Sequence, residues 1–279
     1  MAQSDFTSAY SQMFADMFRL QYQAGSRLRG TVMELHGLVG DAYKFKYMNQ
    51  VAMQQHGAYG ADIPASAVTV TAPSISFEDY DLKLSIDEFD QLNFNASALQ
   101  GYAQTHAKAL GRREDQFIIN ALVAGTTNQI ASGGTNMSVE KLREARAILG
   151  QNEADEGDLY CVMHWLDMEA LLAQTEYTSS LFNMAKPLVD PQGDEGPFAG
   201  FKIIAIGDRT LEGGLPLTAG VRSTFAFNKN AAAVGYRLDP QTRMVPIEWQ
   251  ARTETLSLMS AGAVVTDVKG SVEILCDES

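Results

Sequence analysis

The stretch SALQGYAQTHAKALGRREDQFIINALVA, Ser97 to Ala124, decides the architecture of this chain. It contains no proline. At helical spacing Leu99, Ala103, Leu110, Phe117 and Ala121, with Ile118 beside them, fall within one stripe about 100° wide. Lys108, Arg112 and Asp115 fall on the opposite side. His106 lies inside the stripe, as a packing histidine with its polar atoms satisfied. At about 1.5 Å per residue the stretch predicts a rod of ~42 Å, well above the usual helix length, ended by Gly125.

On its amino-terminal side, residues 67–89 predict two strands. Val68 and Val70, then Ile75 and Phe77, alternate with Thr and Ser on either side of Pro73. After Glu78 and Asp79, the residues Tyr80, Leu82, Leu84 and Ile86 hold one face, and Asp81, Lys83, Ser85 and Asp87 the other. The expectation is a long hairpin whose apolar face needs a partner surface, since a lone two-stranded ribbon is marginal in water. Residues 25–60, broken by six glycines, read as an extended arm lying on other surfaces. Before them, Phe6, Tyr10, Met13, Phe14 and Met17 form the stripe of an amphipathic helix over residues 5–24.

On the other side, the linker from Thr126 to Thr135 carries no pattern. A second helix runs from a Ser138 cap to Gly150. An acidic loop (Glu153, Asp155, Glu156, Asp158), a strand over 159–164, a helix over 165–174 and a strand over 201–206 follow. The remainder predicts strands near 222–227, 231–237, 243–250, 253–259, 262–268 and 271–276. Helices early and strands late, without βαβ alternation, make the class α+β.

The composition narrows the function. No apolar run approaches the ~18 residues that cross a bilayer, and the first residues lack the pattern of a signal peptide, so the expectation is a protein made and kept in the cytoplasm with no membrane partner. The two cysteines, Cys161 and Cys276, read as reduced thiols. The net charge of -13 excludes a direct reader of nucleic acid. It is unevenly placed, with residues 61–100 summing to -6.

No constellation points to catalysis, a cofactor or a metal. None of the histidines 36, 56, 106 and 164 has a metal-binding spacing, and Cys161 and His164 fall on opposite faces of a strand. The acidic clusters lack the Gly and acidic positions of a calcium loop. No phosphate loop, dinucleotide fingerprint or nucleophile elbow is present. The chain therefore does not read as an enzyme.

The order of elements, with its local text, resembles the Hong Kong 97-type fold of tailed-phage major capsid proteins. The text that carries the resemblance is GSRLRG (Gly25 to Gly30), DIP (Asp62 to Pro64), DYDLKLSIDEFDQLNF (Asp79 to Phe94), ALGRREDQFIINAL (Ala109 to Leu122), GPFAGFKIIAIGD (Gly196 to Asp208) and GAVVTDVKGSVEI (Gly262 to Ile274). The resemblance implies a terminal helix and N-arm over 1–60, an E-loop over 61–94 and a spine helix opening the P domain over 95–135. It implies an A domain over 136–225, return strands of the P domain over 226–260 and closing strands over 261–279. It further implies hexamers and pentamers of this chain in an icosahedral virion shell around double-stranded DNA, bound without sequence specificity. Portal, scaffolding and decoration proteins are the implied partners. The terminal helix begins at once and leaves no room for a scaffolding propeptide, so scaffolding is expected to be separate or absent.

For a shell subunit the working residues are those that meet a neighbour. The acidic face of the hairpin, Asp79, Asp81, Asp87 and Glu88, is expected to meet a neighbour's basic surface, formed by Lys108, Arg112 or Arg113 on the long helix or by Arg27 and Arg29 on the arm. Nothing in the sequence indicates a covalent crosslink at Lys83. The alternatives are an encapsulin-like nanocompartment shell of the same fold, and a soluble oligomeric α+β enzyme.

Overall fold

Helix α1 (Ala96–Gly125) has thirty residues, one more at each end than its pattern predicts. The computed structural model describes residues 26–48, 50–53, 55, 65–87, 96–174, 197–209 and 213–278, without the side chains of 96–103 and 197. The helix expected over 5–24 and the site candidate Glu88 lie outside the described residues. Among the described residues, six strands precede α1: β1 (Met33–Leu35), β2 (Ala42–Lys44), β3 (Tyr47–Met48), β4 (Val70–Thr71), β5 (Ser74–Ser76) and β6 (Glu78–Asp87). After it come β7 (Asn128–Ile130), α2 (Val139–Gln151), β8 (Leu159–His164), α3 (Trp165–Leu172), β9 (Pro197–Phe198) and β10 (Phe201–Ile206). The chain ends with β11 (Leu217–Thr218), β12 (Val221–Asn228), β13 (Ala232–Ile247), β14 (Arg252–Val265) and β15 (Ser271–Asp277).

Two sheets share α1. The first has the order β1-β13-β14-β6 and the second β7-β15-β12-β8-β10-β9, with β11 on β12. Leu110, Phe117, Ile118 and Leu122 of α1 pack with Val234, Tyr236 and Met259 of the first sheet and with Tyr160, Val162 and Phe225 of the second. The other face of the second sheet packs Cys161, Met163 and Ala226 against Leu142 of α2 and Met168 of α3. Alternate residues of β8 thus enter different cores, which is why all six are buried. Because α1 is covered from two sides, Asp115, placed by the helical pattern on the outer face, is buried instead.

Several expectations are corrected. Among the described residues of the expected hairpin, 67–87, the strands do not pair with one another. β5 pairs with β2 (Ala42↔Ser76) and β4 with β3 (Tyr47↔Thr71), making a ribbon, while β6 turns away and joins β14 from Glu78↔Ala261 to Asp87↔Arg252. A period-two pattern fixes which face is apolar but not which strand is the partner. The apolar face of β6 is not left for a neighbour either, since the Tyr80 ring meets Phe117 of the chain's own α1 edge to face at 5.4 Å. The start of the expected arm belongs to the core: Leu28 and Val32 are fully buried, and β1 lies parallel to β13. Four of the predicted late strands merge into β13 and β14. Register shifts between Tyr236 and Leu238, and between Leu238 and Gln241, absorb the interruption at Asp239-Pro240 as a bulge. The boundaries expected at 225/226 and 260/261 therefore fall inside continuous strands, and β15 belongs to the second sheet.

Candidate assembly interface

The motif Arg112-Arg113-Glu114-Asp115 makes α1 a hub. Asp115 accepts hydrogen bonds from the Ser26 hydroxyl (2.6 Å), the Leu28 amide (3.0 Å) and the Arg27 amide (3.3 Å), and pairs with Arg209 at 2.6 Å. One buried carboxylate thereby fastens residues 26–28 to the helix. Glu114, also buried, accepts from the Tyr236 hydroxyl of β13. Arg113 donates to the Tyr80 hydroxyl and stacks its guanidinium 3.9 Å from the centre of that ring. Arg112 gives its carbonyl to Arg209 at 3.1 Å. Consecutive side chains on a helix point about 100° apart, so Arg113, Glu114 and Asp115 reach three different parts of the fold.

A second cluster holds the root of the ribbon. Arg237 of β13 binds both carboxylate oxygens of Asp79 (2.6 and 2.8 Å), lies 3.5 Å from Asp41 and donates from Nε to the Ser260 hydroxyl at 3.1 Å. Hydrogen bonds from Ser260 and then Arg237 hold the Asp79 carboxyl below its ordinary range. Next to it His36 stacks on Tyr236 with ring centres 4.9 Å apart and bonds Asp239 at 2.6 Å.

Set against these contacts, the expected interface residues divide. Asp79 and Arg113 are engaged within the chain, and so is Arg27, whose side chain donates to the Ala205 carbonyl at 2.6 Å. Arg29 lies 4.0 Å from Glu34. Asp87 and Arg112 have partners of their own. Asp81 and Lys108 are exposed, with no ion pair or side-chain hydrogen bond among the described residues. The strand and the helix do meet inside one subunit, through Arg113 and Tyr80, while the Asp79 carboxylate pairs with Arg237 of β13.

Large exposed apolar side chains among the described residues carry no signal in the periodic pattern of the sequence. Met53 is 99% exposed and Met48 76%, in and beyond the ribbon strands, and Trp249 is 84% exposed in the turn joining β13 to β14. A tryptophan between two charged residues, Glu248 and Arg252, in a turn between long strands was the available signal. By contrast, the buried titratable groups serve the fold. Lys141 donates to the Thr135 and Leu275 carbonyls, and burial pushes the Cys276 thiol up to about 12. Arg222 binds Glu278 through two nitrogens, at 2.5 and 3.0 Å, and Asp208 at 2.9 Å. Among the described residues no group of His, Cys, Asp and Glu is placed to hold a metal ion, and no helix is long and apolar enough to cross a membrane.

Comparison with known proteins agrees with this arrangement. A family model described as phage capsid protein matches residues 6–278. The head structure of Helicobacter pylori bacteriophage KHP40 superposes with a TM-score of 0.68 at 10% identity, covering 91% of each chain. The capsid structure of cyanophage P-SCSP1u gives 0.66 at 15% identity, over 91% of this chain and 89% of that one. A virus-like particle from Pyrococcus furiosus gives 0.58 at 13% identity, over 95% and 99%. At such identities these structures establish the fold, which is Hong Kong 97-like. A search of curated proteins finds no match.

Proposed function

From the premise that this chain belongs to the phage capsid protein family, we infer how it builds a shell. It is a major capsid protein, a structural subunit and not an enzyme, that associates with copies of itself in the capsid lattice of a virion. The finer reading is that hexamers and pentamers close an icosahedral head around double-stranded DNA, which the acidic chain contains without gripping. Synthesis in the host cytoplasm, and work with portal, scaffolding and decoration proteins, belong to the same reading. The family match favours a phage head over a cellular nanocompartment.

The observation that carries the assembly mechanism is the ribbon. It presents Met48, Met53 and Val70 to solvent, and a projecting apolar element of this kind is stabilised by covering it with another surface. We read the ribbon between β1 and β6 as the E-loop, reaching across the adjacent copy. α1 with the first sheet is then the P domain, and the second sheet with α2 and α3 the A domain. In rotational assemblies each subunit offers two different patches, one to each neighbour. Asp81 and Lys108, exposed and without an ion pair among the described residues, fit such a pair, Asp81 of one copy meeting Lys108 of the next.

A charge swap tests this. Asp81→Lys and Lys108→Glu each lower the yield of shells seen by electron microscopy, and the double variant restores it. Shells unchanged in both single variants, or no recovery in the double, refute the pair.

A further inference from the structure

Gly235 of β13 and Gly262 of β14 stand opposite each other in the first sheet. Their neighbours Tyr236 and Ala261 point into the core beneath α1, so by strand alternation the two glycines open onto the other face. The root of the ribbon fills that opening. Ile75 is fully buried there although Ser74 and Ser76 on either side are exposed. A β-carbon on Gly262 would stand 2.1 Å from the Ser76 carbonyl oxygen and 2.8 Å from Ile75 Cγ2. One on Gly235 would meet only side-chain ends: Leu38 Cδ1 at 2.8 Å, Ile75 Cδ1 at 3.1 Å and Phe77 Cε1 at 3.3 Å. Glycine weakens a strand interior, and its use there marks a place where another backbone comes close. Around this contact the Leu38 amide donates to the Tyr236 carbonyl (3.1 Å), the Phe77 amide to the Asp41 carbonyl (3.4 Å), and Arg237 bridges Asp79 and Asp41.

We propose that the Gly235–Gly262 pair is a socket for Ile75 that sets the direction of the ribbon, with Gly262, which lies against the Ser76 backbone, the positioning residue for shell geometry. The proposal rests on the reading of the ribbon as the element that reaches the neighbouring copy. Its physical content is leverage. A methyl group on Gly262 forces the Ser76 carbonyl away by about 1 Å or more to recover ordinary van der Waals spacing. Beyond the socket the paired strands extend for ~20 Å at 3.3 Å per residue, so a small tilt at the root displaces the far end by more than the original shift. Contacts in a closed lattice repeat at every subunit, so a common error in direction is expressed as altered curvature or failed closure.

The test compares Gly262→Ala with Gly235→Ala. Gly262→Ala is expected to give a subunit with wild-type circular dichroism, amide exchange at residues 42–44 and 74–76 at least tenfold faster, and shells at least tenfold fewer or altered in diameter. Gly235→Ala, which meets only movable side-chain ends, is expected to keep shell yield within about twofold. Wild-type shells from Gly262→Ala overturn the proposal, and so does equal loss in both variants. If Gly262→Ala does not fold, Ile75→Ala decides, because it empties the socket without adding an atom. Altered shell diameter or yield then supports the socket, and wild-type shells overturn it. Met53→Asp separates the two levels of inference. Unaffected shells in that variant sink the ribbon contact itself. Shells lost in Met53→Asp but normal in Gly262→Ala sink only the socket.

Discussion

His106 shows what one residue can report. It lies inside the apolar stripe of α1, fully buried, with Nδ1 2.6 Å from the Ser257 hydroxyl and Nε2 2.9 Å from the Thr255 hydroxyl of β14. The hydroxyls suit a neutral ring, and burial pushes its pKa down to about 4. The ordinary value, which the unfolded chain recovers, is about 6.5. Above that pH neither state takes the proton, and the group leaves stability unchanged. As pH falls from about 6.5 toward 4 the unfolded chain is protonated first and stability drops, by about 3 kcal/mol in total. Urea unfolding at pH 7 and pH 4 should therefore show a loss in the wild type that is smaller by about this amount in His106→Gln. The sequence indicated a packed, satisfied histidine. It did not indicate which hydroxyls satisfy it, because they lie about 150 residues away on β14.

At the level of elements, helical and strand periods were legible and partners were not. The extent of α1, the Ser138 cap of α2 and the strands at 159–164 and 201–206 agree with local pattern. Local pattern also assigned Asp115 to the outside, since a single stripe says nothing of a second covering surface. Asp115 is instead the fastening between α1 and the segment at residues 26–28. Asp115→Ala removes a buried carboxylate and leaves Arg209, itself only 12% exposed in its side chain, without its charge partner. The expected cost is about 3–5 kcal/mol, read as a lowered urea midpoint of the unassembled subunit. Faster amide exchange at Leu28 should accompany it.

For the molecule as a whole, the net charge of -13 governs how copies approach one another. Screening length falls from about 30 Å at 0.01 M salt to about 10 Å at 0.1 M. Like-charged subunits should thus assemble poorly at the lower ionic strength. The concentration needed for shells, followed by light scattering, is expected to fall several-fold between 0.01 M and 0.15 M salt. An unchanged threshold would show that net repulsion is not a controlling force. Net charge also sharpens the charge-swap test. Asp81→Lys moves the subunit toward neutrality and Lys108→Glu away from it, so a loss of shells in both cannot come from total charge.

Composition, period and spacing by themselves determined the class of the fold, the long helix and the absence of recognisable catalytic text. These are local properties, set by residues within a few turns or strand lengths of each other. The resemblance of several short stretches, in order, supplied the family. Only the tertiary structure decided that β6 joins β14, that residues 42–48 pair with 70–76, and that Arg113 of α1 meets Tyr80 of β6 within one subunit while Asp79 pairs with Arg237 of β13. Strand pairing depends on contacts between residues far apart in sequence, and a period-two pattern is compatible with many partners. The glycine socket belongs to the same group. Two glycines 27 positions apart carry no local signal until the sheet sets them face to face beneath Ile75.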